Sequence, residues 1–254
     1  KSTITNLLIK HYRTLNQKVA VVLVDPTSPY TNGAVLGDRI RMYSHYDDND
    51  VFIRSLATRG SKGGLASNID EIADVFSGAN FDIILFETVG VGQVEVDVVE
   101  QVDSVVLTLV PESGDDIQMM KAGVVEIADI FVINKSDRAD ANKLYTSIKN
   151  VLDLDNNNED WCPSIIKTIA TEDKGIDKLV DHLNKHNSYI KSQKNILSSK
   201  INKRYISKFE KILSKNLASH FWNGNRQKLF DAELSKKIDN RISPFNLVQE
   251  LLKK

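Results

Sequence analysis

Short apolar segments alternate with longer amphipathic segments along the first 187 residues of the chain. Apolar residues recur at helical spacing in five segments: 2–16, 65–76, 114–127, 139–152 and 175–186. Six other segments are short, mostly apolar and rich in β-branched residues, as strands are: 18–24, 51–56, 81–86, 104–110, 130–133 and 164–169. Apolar strands that alternate with helices predict an α/β fold, in which helices cover both faces of a mainly parallel sheet.

The pattern changes after Asn187, where the strand-like segments end. Residues 190–217 are rich in Lys, Ser and Ile at helical spacing, and residues 220–225 interrupt that spacing. Ser243-Pro244 suits the start of a last helix, because proline fits the first helical turn. We therefore expect two parts: a domain over 1–187 and a carboxyl-terminal helical extension over 188–254.

The composition is that of a globular protein, with 41% hydrophobic and 26% charged residues among 254. No apolar stretch approaches the ~20 residues of a membrane span, and no signal-peptide pattern opens the sequence. The one cysteine, Cys162, fits a reducing compartment. We expect a cytoplasmic protein without membrane attachment, or a mitochondrial matrix protein in a eukaryote.

The charge is divided unevenly along the chain. Residues 190–254 carry 15 Lys and Arg against 5 Asp and Glu, whereas residues 1–189 are acidic. A basic tail can indicate a nucleic-acid-binding protein. Here, however, the charges alternate with apolar residues at helical spacing, which is typical of a solvated helix face. We therefore do not expect nucleic acid among the partners.

The segment Asn134-Lys135-Ser136-Asp137 follows the apolar strand 130–133 and has the NKxD pattern of a guanine reader. The Asp137 carboxylate can accept hydrogen bonds from N1–H and the exocyclic amine of guanine. The Asn134 side chain can reach N7, and the Lys135 stem can lie on the ring face. Adenine has no N1–H, and a good bidentate base contact is worth ~1–3 kcal/mol of discrimination. The segment is therefore a candidate site for GTP and GDP.

The chain begins with Lys1-Ser2-Thr3 and continues into an apolar-periodic helix. A P-loop ends in Gly-Lys-Ser/Thr at a helix N-terminus, where backbone amides hold phosphates, the lysine reaches the β and γ oxygens and the hydroxyl binds Mg²⁺. Lys1 and Ser2 fit the last two positions of that motif. Its glycines and its strand do not precede them here, so we expect that the gene product begins further upstream and that this chain alone binds GTP weakly.

Several polar residues follow strands directly, and in parallel sheets the ligand lies at the carboxyl ends of the strands. Asp25 and Glu87 do so, and Asp38 comes thirteen residues after Asp25. Mg²⁺ takes only one or two protein carboxylates, so not all three acids can contact it directly, and each could instead cap a helix or a turn. The Gly90 amide can approach a γ-phosphate, as a switch loop does. A backbone amide at Ala170 can contact the guanine oxygen.

These segments together resemble the MeaB/ArgK family, the GTPase chaperones of methylmalonyl-CoA mutase. The similar stretches are VDPTSPYTNGAVLGDRIRM (24–42), FIRSLATRGSKGGL (52–65), ETVGVGQVE (87–95), VPESGDDIQMMKAGVVEIADIFVINKSD (110–137) and TIATEDKGI (168–176). More loosely, SPFNLVQELL (243–252) resembles the family's carboxyl-terminal dimerisation segment, which implies that the extension over 188–254 serves dimerisation. The resemblance implies a P-loop GTPase of the SIMIBI class. It also implies a homodimer that gates loading of the B12 cofactor into an acyl-CoA mutase, protects that mutase from inactivation and works beside an adenosyltransferase.

The resemblance also implies roles for single residues. Lys1 matches the P-loop lysine and Ser2 the Mg²⁺ hydroxyl. The family's guanine-reading residues match Asn134, Lys135 and Asp137. The acidic residues that the family needs for Mg²⁺ binding and GTP hydrolysis match Asp25, Asp38 and Glu87. Residues 111–121, which end at Lys121, match a switch loop that relays the nucleotide state to the mutase and so influences catalysis.

Three other functions fit parts of the pattern. A nickel-insertion GTPase shares the fold class but needs Cys or His ligands, and here only His182 and His186 are suitably spaced; we expect both on the surface. A GTPase segment of a larger mutase fusion fits the same motifs. A transport-system kinase, an older name within the family, would transfer phosphate to a protein, and nothing in the sequence marks a phosphoacceptor.

Overall fold

The computed structural model describes residues 1–25, 42–57, 66–88, 99, 101–111, 127–154 and 161–253. These ranges contain six strands: β1 (Val19–Asp25), β2 (Val51–Ala57), β3 (Ile83–Thr88), β4 (Val106–Leu109), β5 (Ile130–Asn134) and β6 (Ser164–Thr168). All neighbouring strands pair in parallel, in the orders β2-β1-β3 and β4-β5-β6. The parallel arrangement predicted from the sequence is confirmed. The described strands nevertheless form two three-stranded sheets, because β3 and β4 do not pair with each other.

Seven α-helices lie in the described ranges: α1 (Ser2–Thr14), α2 (Ala66–Gly78), α3 (Ala141–Leu154), α4 (Ile176–Ser192), α5 (Lys194–Phe221), α6 (Gly224–Leu234) and α7 (Pro244–Leu252). The first four confirm predicted helices, with ends that differ by a few residues. The predicted helix over 114–127 lies almost entirely outside the described residues. The predicted break at 220–225 is confirmed, since α5 ends and α6 begins within it.

β1 shows why the central strands are apolar throughout. Its residues 19–24 are at most 2% exposed and alternate between two cores. Val19 and Val21 pack in a core shared with α1 and α4, whereas Ala20 and Val22 pack in a core shared with α2. β5 alternates likewise between the α1–α4 core and a third core on α3. Because burying one such side chain contributes ~1.5–3 kcal/mol, this alternation holds helices on both faces, as predicted.

The carboxyl-terminal end of α1 is fixed to the turn before β2. The Arg13 guanidinium donates to Asp48 Oδ2 at 2.8 Å, to Asp50 Oδ2 at 3.0 Å and to the Gln17 carbonyl at 2.8 Å. The hydrogen bond from Arg13 holds the pKa of Asp48 below its ordinary value. Since a helix behaves as a rod, bonds at this end also constrain the position of its first turn.

Contacts within the chain define two compact units: 1–201 and 202–254. In the second unit, side-chain oxygens of Asn223 and Ser243 cap α6 and α7, and Pro244 occupies the first turn of α7, as predicted. Arg226 joins two helix ends, because it donates to the carbonyls of Phe221 at 2.7 Å and Leu251 at 2.9 Å. None of the helices in the described ranges is both long and apolar enough to cross a bilayer.

Candidate nucleotide-binding site

The first turn of α1 meets the carboxyl end of β3. The Ser2 hydroxyl donates to Glu87 Oε1 at 2.7 Å, and the Lys1 ammonium donates to the Thr88 carbonyl at 3.4 Å. Lys1 is the N-cap of α1, Thr3 is exposed, and the first turn holds no acidic residue. The positive end of the helix dipole therefore faces this region, and no carboxylate in the first turn of α1 neutralises it.

One carboxylate oxygen of Glu87 has no hydrogen-bond partner among the described residues. This oxygen, Oε2, is buried, whereas Oε1 accepts from Ser2. An unsatisfied buried acceptor costs ~1–3 kcal/mol, and such atoms in native proteins call for an explanation such as an ion or a water molecule. Carboxylate and hydroxyl oxygens are ligands that Mg²⁺ accepts, and one or two carboxylates suffice for it. Ser2 and Glu87 therefore fit a magnesium ion.

The remaining residues predicted for this end are described only in part. Asp38, Gly90 and Lys121 lie outside the described residues, and Asp25 is described only as the last backbone position of β1. In the ranges that the structure describes, no three His, Cys, Asp or Glu side chains come together as a metal site. The described part of the predicted metal site is thus the pair of Ser2 and Glu87.

The second predicted end, for the base, lies where β5 and β6 finish. Asn134 and Thr168 are register partners at the last positions of these strands, and both are buried. Asn134 Oδ1 accepts from the Thr168 hydroxyl at 3.2 Å and from the Ala170 N–H at 3.1 Å. The Ala170 amide, predicted to contact the guanine oxygen, is therefore bonded to Asn134 in this structure.

The rest of the NKxD segment folds back over β6. Lys135 adopts a left-handed backbone with φ of 57°, and the Ser136 N–H donates to the Thr168 carbonyl at 3.1 Å. A non-glycine residue in this conformation costs ~1–3 kcal/mol and persists only where the surroundings enforce it. The turn leaves Lys135 and Asp137 exposed next to the buried Asn134. These three predicted base-reading residues therefore lie together at one edge of the sheet.

The turn after β6 closes the base end. It is a short 3-10 helix, Ala170–Glu172, held by reciprocal backbone hydrogen bonds between Ile169 and Lys174 at 3.1 and 3.2 Å. Lys174 pairs with Glu172 at 2.5 Å. This hydrogen bond raises the pKa of Lys174, and the negative charge of Asp137 raises it further. The Lys174 ammonium therefore stays charged at neutral pH in the neighbourhood of Asp137.

α1 connects the two ends of the site. It lies against β3 and also against the turn Ala170–Glu172 and α4. The helix that carries Lys1 and Ser2 is thus in contact with the segment that bonds Asn134. A ligand with phosphates at one end and a planar base at the other has the chemistry that this combination suits.

Gly175, the N-cap of α4, gives a stability prediction. Its φ is +82°, and a Cβ added there would come within 2.3 Å of the Lys167 carbonyl oxygen. We expect Gly175→Ala to lower the free energy of unfolding by more than ~1 kcal/mol, because both the backbone conformation and the space disfavour a side chain. Thermal or denaturant unfolding would measure the change.

Gly78 offers the matched control for that measurement. It ends α2, and an added Cβ would meet nothing within 4 Å. Gly78→Ala should therefore leave stability unchanged or raise it slightly, since alanine has less conformational entropy to lose. Equal stabilities for the two variants would show that the turn before α4 relaxes to accept a side chain.

His186 corrects an expectation about the surface. It is 2% exposed, and its ring lies between Ser104 Oγ, 2.7 Å from Nδ1, and Asp129 Oδ1, 3.2 Å from Nε2. The Trp161 ring packs 4.6 Å away, centre to centre. The other predicted histidine, His182, is half-buried and forms a hydrogen bond with the Lys178 carbonyl at 2.8 Å. Among the described residues, neither histidine belongs to a group of three side chains that could hold a metal ion.

Thr168 is the site residue that sequence reasoning missed. It is 1% exposed and its hydroxyl bonds the side chain of Asn134. The available signal was positional, because Thr168 is a hydroxyl residue at the very end of a strand that neighbours the NKxD strand. Strand order had to be known before that position could be assigned to the site.

Comparison with known proteins matches the α/β part and a portion of the extension. The model of a family described as methylmalonyl Co-A mutase-associated GTPase MeaB matches residues 1–226. A Pyrococcus abyssi protein named as a GTPase is 42% identical over 256 residues, which cover 100% of this chain and 79% of that protein. The GTPase ArgK of Escherichia coli is 37% identical over 168 residues, which cover 64% of this chain and 50% of ArgK.

One further relative and one solved structure extend the comparison. The mouse protein named methylmalonic aciduria type A homolog, mitochondrial, is 36% identical over 185 residues, which cover 71% of this chain and 45% of the mouse protein. The chain therefore spans about half the length of the mouse and E. coli relatives. A crystal structure of LAO/AO transport system kinase superposes with a TM-score of 0.66 over 99% of this chain and 76% of that chain, at 21% identity, and shows the same fold.

Proposed function

The chain belongs to the MeaB family, and from that premise we propose that it binds and hydrolyses GTP and that its nucleotide state gates loading of B12 into an acyl-CoA mutase. The observation that carries the base assignment is the buried Asn134 carboxamide, bonded through its oxygen, beside the exposed Asp137. Asp137 supplies two acceptors for guanine N1–H and N2, and Asn134 supplies a donor for N7.

The phosphate end is supplied by the first turn of α1. In this proposal the Lys1 ammonium and the amides of that turn hold the phosphate oxygens, and the helix dipole favours their negative charge. Ser2 and Glu87 would hold Mg²⁺, and Asp25 and Asp38 are the further acids that we propose for the metal site. When bound there, Mg²⁺ would neutralise charge that develops on the phosphates during hydrolysis. Glu87 Oε1 accepts from Ser2, and Oε2, which has no partner among the described residues, is the oxygen that remains for the ion.

We assign the link to the mutase to the two segments that match switch loops, which are the turn at Gly90 and residues 111–121. In the sequence, Gly90 comes two residues after β3 and residues 111–121 come after β4. Both segments therefore follow the carboxyl ends of parallel strands, where such sheets bind their ligands. A γ-phosphate can order such loops and its loss releases them. We assign Lys121 as the residue that reports this change to the partner, because its charge can change partners as the loop does.

GTP turnover with and without a B12-dependent mutase tests this function in the full-length protein. If the protein is a chaperone of the mutase, GTP turnover rises when the mutase is added. Lys121→Ala is expected to blunt that rise. Turnover that ignores every acyl-CoA mutase would contradict the partner assignment, while leaving GTP binding intact. Full stimulation of the Lys121 variant would move the relay to another residue.

A second copy of the chain is the partner proposed for α5. This 28-residue helix contains no buried residue, and it exposes a broad apolar stripe: Ile201, Tyr205, Ile206, Phe209, Ile212, Leu213 and Leu217. Helices in proteins owe most of their stability to packing of an apolar face, so we expect another apolar surface to pack against this stripe. We expect a dimer in sedimentation analysis and a shift to monomer for Phe209→Glu. A monomeric wild type would contradict the dimer.

A transport-system kinase is the second candidate, because the structure with the same fold bears that description. Phosphoprotein formed from GTP or ATP in the presence of a solute-binding protein would support it. Turnover that depends on a mutase would support the chaperone instead. For the chaperone we propose a cytoplasmic location, or the mitochondrial matrix in a eukaryote, with an adenosyltransferase as a further partner and no nucleic acid.

A further inference from the structure

To the residues that the structure describes, the Asn134 carboxamide is bonded through its oxygen alone. Oδ1 accepts from the Thr168 hydroxyl and from the Ala170 N–H, which uses both lone pairs of a carbonyl oxygen. Within the described part of the chain, no residue accepts a hydrogen bond from Nδ2. A half-turn of the carboxamide would place Nδ2, which can only donate, against the Ala170 N–H, which can also only donate. The orientation with Nδ2 away from β6 is therefore favoured.

We propose that Thr168 is a positioning residue of the guanine site, whose hydroxyl fixes Asn134 with Nδ2 directed at N7 of the base. The inference rests on the proposed GTP site. N7 is an acceptor without a hydrogen, so it pairs with Nδ2 and not with Oδ1. Thr168 is 1% exposed and acts through Asn134 rather than by touching the base. The Ala170 N–H sets the direction of the carboxamide, and Thr168 supplies its second bond.

The geometry around Thr168 supports a role beyond joining two strands. β5 and β6 are already paired through their backbones, and the Ser136 N–H binds the Thr168 carbonyl at 3.1 Å. The side-chain hydroxyl is not needed for either connection. Among the described residues, its one hydrogen-bond partner is the carboxamide of Asn134, at 3.2 Å. Its removal therefore acts first on the orientation of that group.

Comparison of GTP with 7-deaza-GTP, which has a C–H in place of N7, tests the proposal. The full-length protein is expected to prefer GTP by about five- to tenfold, the worth of one hydrogen bond in a partly buried site. In Thr168→Val, which is nearly isosteric, this preference should fall to about twofold or less. Thr168→Ser keeps the hydroxyl and should keep the wild-type preference. Calorimetric titration of both nucleotides gives the ratios.

The ratio of the affinities for GTP and 7-deaza-GTP is insensitive to partial unfolding, because both nucleotides bind the same folded population. If Thr168→Val does not fold, Thr168→Ala serves as the second variant, read out by the same ratio. A wild-type ratio in either hydroxyl-free variant would overturn the proposal. So would a loss in Thr168→Ser equal to that in Thr168→Val, since it would assign the effect to packing of the methyl group.

Failure of the proposed function has a different signature. It would appear as a wild-type protein that does not prefer GTP over ATP at all. A wild type that prefers GTP over ATP but binds 7-deaza-GTP as tightly as GTP would overturn the role of Thr168 and leave the guanine site in place. Discrimination between GTP and XTP should be unchanged in Thr168→Val, because Asp137 reads the opposite edge of the base.

Discussion

Glu87→Ala is expected to slow GTP hydrolysis by about 10²–10³-fold, the loss that follows removal of one preorganised electrostatic group from an active site. Affinity for GTP should change much less, because a positioned metal or water acts mainly on the transition state. Glu87 is the acid whose placement supports this best. One of its oxygens accepts from Ser2 at 2.7 Å, and the other is buried with no partner in the part of the chain that the structure describes.

Single-turnover hydrolysis and nucleotide binding, measured at saturating Mg²⁺, separate the two effects. Asp82→Ala is the matched control, because Asp82 lies just before the same strand at its amino end, where its carboxylate accepts from the Lys18 N–H at 2.8 Å. Its turnover should remain that of the wild type. Asp38→Ala should behave like Glu87→Ala. If both acids could be removed without loss of turnover, their carboxylates would be structural caps.

Local pattern accounts for the parts of the fold that could be predicted. The run from Val19 to Val24 contains no polar residue, so it suits only a strand buried on both faces, and it is one. Ser243 before Pro244 supplies a side-chain cap and a residue with a preset φ, and α7 begins there. In each case the physical cause lies within a few residues of the feature.

Features that depend on distant residues were not predictable in the same way. Strand pairing joins segments that are far apart in the sequence. The periodicity of apolar residues within one segment does not show which strands are neighbours in the sheet. Thr168 became recognisable as a site residue only once it was known to face Asn134. His186 was placed on the surface because of its residue type. However, it follows Leu179 and Leu183 at helical spacing, so it lies on the core-facing side of α4.

The base-binding end of the site could be assigned from the sequence because its residues are contiguous. The orientation of the Asn134 side chain could not be assigned in this way. Asn134, Lys135 and Asp137 come from one segment, and their residue types already match the edge of guanine. The orientation of the Asn134 carboxamide is set from β6 and the turn that follows it, more than thirty residues later. The left-handed backbone of Lys135 likewise depends on the fold-back of Ser136 onto β6.

Asp137→Asn is expected to change the preferred nucleotide from GTP to XTP. The carboxylate offers two acceptors to guanine N1–H and N2, whereas an amide offers one acceptor and one donor, and the donor would face the N2 amine. Xanthine has an oxygen in place of that amine and can accept from the amide. Losing the bidentate contact should cost ~1–3 kcal/mol with GTP, which is about 5- to 150-fold in affinity. Asp137 is exposed at the sheet edge, so the change reaches the ligand directly.

Competition of GTP, XTP and ATP for one fluorescent nucleotide measures this preference. Asp140→Asn is the matched control, because Asp140 lies three residues further on and pairs with Lys143 at 2.7 Å on the surface. It should bind all three nucleotides as the wild type does. The wild type should favour GTP, since adenine presents an acceptor where Asp137 needs a donor. If Asp137→Asn kept the wild-type order, the NKxD segment would be a structural turn, and the base would have to be read by other residues.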